Sequence, residues 1–197
     1  MMRLLKQILL PARYSRWLTM IAAGSLLAGC LAIPEGVEPV TGFDVDRYTG
    51  TWYEVARLDH RFERGLSNVT ATYSLQDDGT VKVVNRGYSL EDQSWDDAIG
   101  KASFVEAPDL AYLKVSFFGP FYGAYVVFEL DKQDYQYAFV AGNTISYLWL
   151  LSRTPTISDE LRQRFIDNIT ALGFDPNGLI WVDQSRQGGA PTEVAPG

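Results

Sequence analysis

The chain is short of reactive side chains: among 197 residues there is one cysteine, Cys30, and one histidine, His60. A single cysteine excludes an internal disulfide, and the lack of a second cysteine or histidine excludes a zinc centre built from such pairs. A Ser-His-Asp triad would have to be built around His60, and no Gly-x-Ser-x-Gly turn is present to display a serine. His60 itself lies in the polar run Asp59-His60-Arg61-Phe62-Glu63-Arg64, where a solvated loop histidine is expected. Positive charge is also scarce. There are 17 basic side chains against 24 acidic ones, and four of the basic ones (Arg3, Lys6, Arg13, Arg16) precede residue 30, before any acid occurs. The strongly acidic remainder repels phosphate backbones, so nucleic-acid binding is excluded as a function class. A long hydrophobic run is missing too: the apolar stretch from Trp17 to Gly29 is too short and too rich in small residues for a membrane span.

What is present begins with that N-terminal stretch. A basic start followed by a short apolar segment predicts a signal peptide over residues 1–29. Leu27-Ala28-Gly29-Cys30 resembles the bacterial lipobox, which implies cleavage before Cys30, acylation of its thiol and attachment to a membrane. Leu31 stands where an inner-membrane retention signal would carry Asp, so the resemblance implies the outer membrane, facing the periplasm. Residues 30–43, with two prolines and two glycines, predict a lipidated tether.

From Gly50 onward short β-like runs follow one another: Thr51–Leu58, Val69–Leu75, Thr80–Tyr88, Ala98–Val105, Ala111–Phe117, Tyr122–Leu130, Tyr135–Ala141 and Tyr147–Ser152. Turn signals such as Asp77-Asp78-Gly79 and Ala107-Pro108-Asp109 separate them at hairpin spacing. Eight antiparallel strands hide their edges by closing on themselves, so an all-β up-and-down barrel is expected over residues 44–185, with room for one small ligand. Ala124–Phe128 and Tyr147–Leu151 are apolar on both faces and need an outer cover. An amphipathic helix at about 158–173, capped by Ser158 and presenting Leu161, Phe165, Ile169 and Leu172, supplies it. Gly178–Val182 adds an edge strand, and residues 186–197 read as a disordered tail.

Gly50-Thr51-Trp52-Tyr53-Glu54, Arg153 and the helix after the eighth strand resemble the lipocalins. The blocks Asp59–Leu66, Val69–Leu75, Leu113–Gly123 and Tyr147–Glu160 are similar to the lipidated bacterial outer-membrane branch of that family, relatives of apolipoprotein D. Thr144-Ile145-Ser146-Tyr147 departs from the family's Thr-Asp-Tyr and keeps only Tyr147. The resemblance implies that Gly50, Trp52 and Arg153 close the narrow end of the barrel, with the guanidinium stacked on the indole. If Trp52 points inward, alternation sends Glu54 and Ala56 inward and Tyr53 and Val55 outward. Alternation together with the resemblance predicts a ligand lining of Glu54, Ala71, Tyr73, Val83, Asn85, Leu113 and Val115, continued by Phe117, Tyr122, Ala138, Val140, Tyr147, Trp149 and Leu151. Such a lining suits an alkyl chain with a polar head, and the resemblance implies fatty acids or lysophospholipids. No cofactor and no metal are expected, and family precedent admits a homodimer through the open ends. Two rivals stay open: an envelope lipoprotein with a filled barrel, and a carboxylate-dependent enzyme.

Overall fold

The computed structural model describes residues 31–186. Cys30, the predicted signal peptide and the tail from residue 187 lie outside the described residues. Alternating side chains and short turns produce nine antiparallel strands: β1 (Gly50–Leu58), β2 (Leu66–Leu75), β3 (Val81–Ser89), β4 (Ser94–Phe104), β5 (Tyr112–Phe118), β6 (Phe121–Leu130), β7 (Tyr137–Ala141), β8 (Leu148–Ser152) and β9 (Leu179–Trp181). The first eight close into a barrel. β1 pairs with β2 over Gly50–Tyr53 and with β8 over Tyr53–Arg57, and β9 then covers Ala56–Leu58. Tyr135, expected to open the seventh strand, sits instead in a turn at φ 55°. The Asp131 carboxylate accepts the backbone N–H groups of Gln133, Asp134 and Gln136 there and postpones the strand to Tyr137.

Two hydrophobic layers result. The inner one fills the barrel's lower half with Trp52, Tyr73, Val83, Leu113, Val127, Val140 and Leu151. The outer one lies beneath the helix α2 (Asp159–Ala171), whose Phe165 and Ile169 are fully buried against Val55, Phe139, Leu148 and Leu150. Burying those two side chains contributes about 1.5–3 kcal/mol each. Ser158 caps the helix by accepting the Leu161 N–H, and Gly173 ends it at φ 81°. A short helix, α1 (Val45–Tyr48), is capped by Asp44 and leads into β1 across the barrel floor.

Alternation fails at one place. A bulge between Glu54 and Ala56 shifts the register of β1 against β8, so that Glu54 faces Leu151, Ala56 faces Leu150 and Arg57 faces Trp149. Ala56, expected inside, therefore packs in the outer layer, and Arg57 turns inward in its place. The expected tether also takes a different form. Val37 and Phe43 are buried, Val40 exchanges backbone hydrogen bonds with Val127 and Ala111, and the Tyr112 hydroxyl donates to the Leu31 carbonyl. Residues 31–43 thus lie on the β5–β6 wall.

Candidate ligand site

The floor of the barrel is built on Trp52, fully buried, whose indole N–H donates to the Tyr48 carbonyl at 2.8 Å. The Arg153 guanidinium lies 3.9 Å from the Trp52 ring centroid and donates to the carbonyls of Arg47, Thr49, Thr51 and Tyr135. Stacking and hydrogen bonding use different parts of the group, so neither is lost to the other. Gly50 permits this contact: its φ is 91°, and a Cβ there would stand 3.4 Å from Arg153 Nη1. The Tyr48 ring packs against the indole, and the rings of Phe43 and Tyr73 pack against Tyr48 in turn.

Above the floor the inner face changes character. Ala71, Tyr73, Val83, Leu113, Ala138, Val140 and Leu151 are buried together, while Val115, Phe117 and Trp149 sit higher and are only half-buried. Tyr125, which alternation missed, joins them, and its hydroxyl lies 2.7 Å from that of Tyr48 and 2.8 Å from that of Tyr73. Asn85 also faces inward, opposite Ala71, with its carboxamide oxygen unpartnered. Tyr122 does not belong to this lining. It shares the outer face of β6 with Ala124 and Val126, is 45% exposed, and carries the Lys114 ammonium 5.3 Å over its ring. Tyr147 stands at the rim, against the rings of His60, Phe62 and Trp149, outside the inner cluster.

Against the β1–β8 wall lies a buried polar cluster that the sequence reading largely missed. Arg57, 1% exposed, donates to Glu54 Oε1 at 2.6 Å and to the carbonyls of Glu63 and Leu66. Glu63 accepts the Trp149 indole N–H at 3.0 Å, and His60 Nε2 stands 3.2 Å from the same carboxylate. Burial, reinforced by the neighbouring Glu63 charge, pushes Glu54 well above the usual carboxylate range despite Arg57. For Glu63 the burial penalty is outweighed by His60, by hydrogen bonding to Glu54 and by Trp149, which hold it below that range. Of the two carboxyl groups, Glu54 is thus the one that holds a proton more tightly. His60 is 6% exposed, a departure from the expected solvated loop residue, because the 59–65 connection folds inward and lays the ring against Tyr147 and Trp149. A tight turn with two inward residues three apart, His60 and Glu63, was the available signal.

Residues 43–184 match the family described as Lipocalin-like domain. The chain is 56% identical over 169 residues to the outer membrane lipoprotein Blc of Vibrio cholerae serotype O1, covering 86% of this chain and 99% of that protein. It is 53% identical over 174 residues to the outer membrane lipoprotein Blc of Escherichia coli K12, covering 86% and 98%. Apolipoprotein D of Mus musculus is 28% identical over 150 residues, covering 73% and 78%. Among solved structures, the cockroach allergen Per a 4 superposes with a TM-score of 0.61 at 22% identity, covering 79% of this chain and 96% of the allergen, which speaks to fold alone.

Proposed function

The chain belongs to the lipocalin family, and on that premise we propose that it is an outer-membrane lipoprotein, acylated at Cys30, whose barrel binds a fatty acid or a lysophospholipid in the periplasm. One observation carries this reading. The upper inner face presents Val115, Phe117, Tyr125 and Trp149 only half-buried, apolar and aromatic surface turned toward the barrel interior. Apolar surface left wet inside a cavity is stabilised by an apolar guest. Burying ten methylenes contributes about 8 kcal/mol, close to micromolar affinity before ordering costs are paid. The polar groups beside it, Asn85 and the Glu54–Arg57–Glu63–His60 cluster, suit a ligand with a polar head. Binding rather than catalysis fits a site whose sole histidine is wedged between rings. Anchorage at Cys30 follows the lipobox pattern and the lipoprotein character named for the relatives.

Native mass spectrometry of a chain starting at Leu31, purified from its own host and followed by lipid extraction, tests the reading. A defined ratio of fatty acid or lysophospholipid is expected. An empty barrel that also takes up no fluorescent fatty acid would turn the assignment toward the filled, structural lipoprotein.

A further inference from the structure

Among the apolar side chains of the inner layer, three tyrosines bring their hydroxyls together. Tyr48 comes from α1, Tyr73 from β2 and Tyr125 from β6, and the Tyr125 oxygen lies 2.7 Å from that of Tyr48 and 2.8 Å from that of Tyr73. Ala71, Val83, Leu113, Val140 and Leu151 belong to the same buried cluster. Packing alone does not ask for these oxygens, since phenylalanine has the same shape and no buried polar group to satisfy.

Counting donors shows what the trio lacks. Each hydroxyl carries one proton and can accept two hydrogen bonds. Three protons share two contacts, so one O–H has no acceptor among the described residues. A buried donor in that position has lost its hydration without compensation. Tyr48 and Tyr73 are 3% and 7% exposed, whereas Tyr125 is half-buried, next to the band of Val115, Phe117 and Trp149 where the inner face opens. With Tyr48 and Tyr73 both donating to Tyr125, the Tyr125 proton is the one left for the cavity, and the two bonds it accepts polarise it into a stronger donor. Burial keeps all three hydroxyls protonated, while the Arg153 charge favours negative charge at the Tyr48 and Tyr73 oxygens. A donor in a positive field at the base of an apolar cavity is matched by an oxygen that accepts.

We propose that the Tyr48, Tyr125 and Tyr73 hydroxyls form a subsite at the base of the cavity that hydrogen-bonds an oxygen function on the inserted end of the lipid. Two ligand chemistries bring an oxygen there: the carboxyl group of a fatty acid that enters head first, and an oxygenated terminus, such as an ω-hydroxyl, on an acyl chain that enters tail first. A plain methyl terminus leaves the Tyr125 proton unpaired. This inference rests on the lipid-binding reading above and narrows it to the lipids that the barrel favours.

The test compares wild type with Tyr125→Phe in the acylated full chain, held in phosphatidylcholine vesicles so that partition of a ligand into the bilayer is common to both proteins. Hexadecanoic acid, hexadecanoyl lysophosphatidylethanolamine and its ω-hydroxyhexadecanoyl counterpart each displace a bound fluorescent fatty acid, whose own affinity is measured for each protein. Head-first entry predicts that the variant loses roughly tenfold in affinity for hexadecanoic acid and keeps both lysophospholipids, and tail-first entry predicts the same loss for the ω-hydroxy lysophospholipid alone. A loss for both of these ligands, with the plain lysophospholipid kept, supports the subsite in both orientations. Tyr73→Phe should reproduce part of the loss for the same ligand and no other, and it carries the test if Tyr125→Phe does not fold. Equal losses for all three ligands, accompanied by a lower melting temperature, mark a purely structural hydroxyl network and overturn the proposal. So does the absence of any loss. The underlying reading fails differently: a wild-type protein that binds no fluorescent fatty acid is no carrier and takes the subsite down with it, whereas one that binds lipids without this selectivity loses the subsite alone.

Discussion

The two ends of the barrel are held together by different physics. At the closed end a buried indole, tightly packed rings and one guanidinium that saturates four carbonyls leave little that can move. At the open end the wall is secured by a buried ionic cluster whose two carboxyl groups are pushed apart in acidity, Glu54 upward and Glu63 downward, and the side chains above it are half-wet. Dispersion and apolar burial dominate at one end, whereas the other depends on each charge keeping its partner. The contrast separates scaffold from site within a single sheet.

That division can be broken by substitution. Trp52→Ala should cost the most, about 3–5 kcal/mol by chemical denaturation, with fatty-acid affinity per folded molecule unchanged. An affinity loss larger than the stability loss would move the floor into the site. Arg57→Ala comes next, at about 3 kcal/mol, because the buried Glu54–Glu63 pair loses its cation and the Glu63 and Leu66 carbonyls lose their donor, and Arg57→Met paired with Glu54→Leu should recover most of it. Arg153→Lys should cost about 1–2 kcal/mol, since an ammonium cannot stack flat and reach four carbonyls at once. Trp149→Phe should cost about 1 kcal/mol by leaving Glu63 one donor short, and weaken acyl-chain binding in a titration of fluorescent fatty acid. The last effect is set by pH. Glu54 has a raised pKa in the folded state, so the native protein binds more protons than the unfolded chain above the ordinary carboxylate range, and stability falls as pH rises through that window. Melting curves from pH 4 to 8 should show the wild type losing ground to Glu54→Gln by at most about 1.4 kcal/mol per pH unit. A constant gap would mean that Glu54 holds no proton.

Most of the scaffold was legible in the sequence because it follows period-two alternation and turn chemistry. Strand number, the Ser158 cap, the Phe165–Ile169 stripe and the Trp52–Arg153 stack all express local rules or a long block of resemblance. The site was less legible because it departs from those rules. One bulge at Glu54 moved Ala56 outward and Arg57 inward, and no alternation count detects an inserted residue. His60 looked solvated because its neighbours are charged, yet the fold of its loop, set by partners some ninety residues away on β8, decides where the ring goes. Tyr122 was assigned inward, one register away from Tyr125, which alone reaches the floor hydroxyls.

The shared position of β1 also bears on how the molecule is made. Gly50–Tyr53 finds β2 about twenty residues downstream, but the pairing with β8 must wait until residues 148–152 exist, and the cover from β9 until 179–181. Closure is therefore the last and least local step, with the high contact order that slows folding. A chain cut before residue 148 keeps a ribbon of strands with two raw edges, prone to pair with its neighbours. The final seam can form only once the C-terminal segment is present, in whatever order the rest of the barrel assembles.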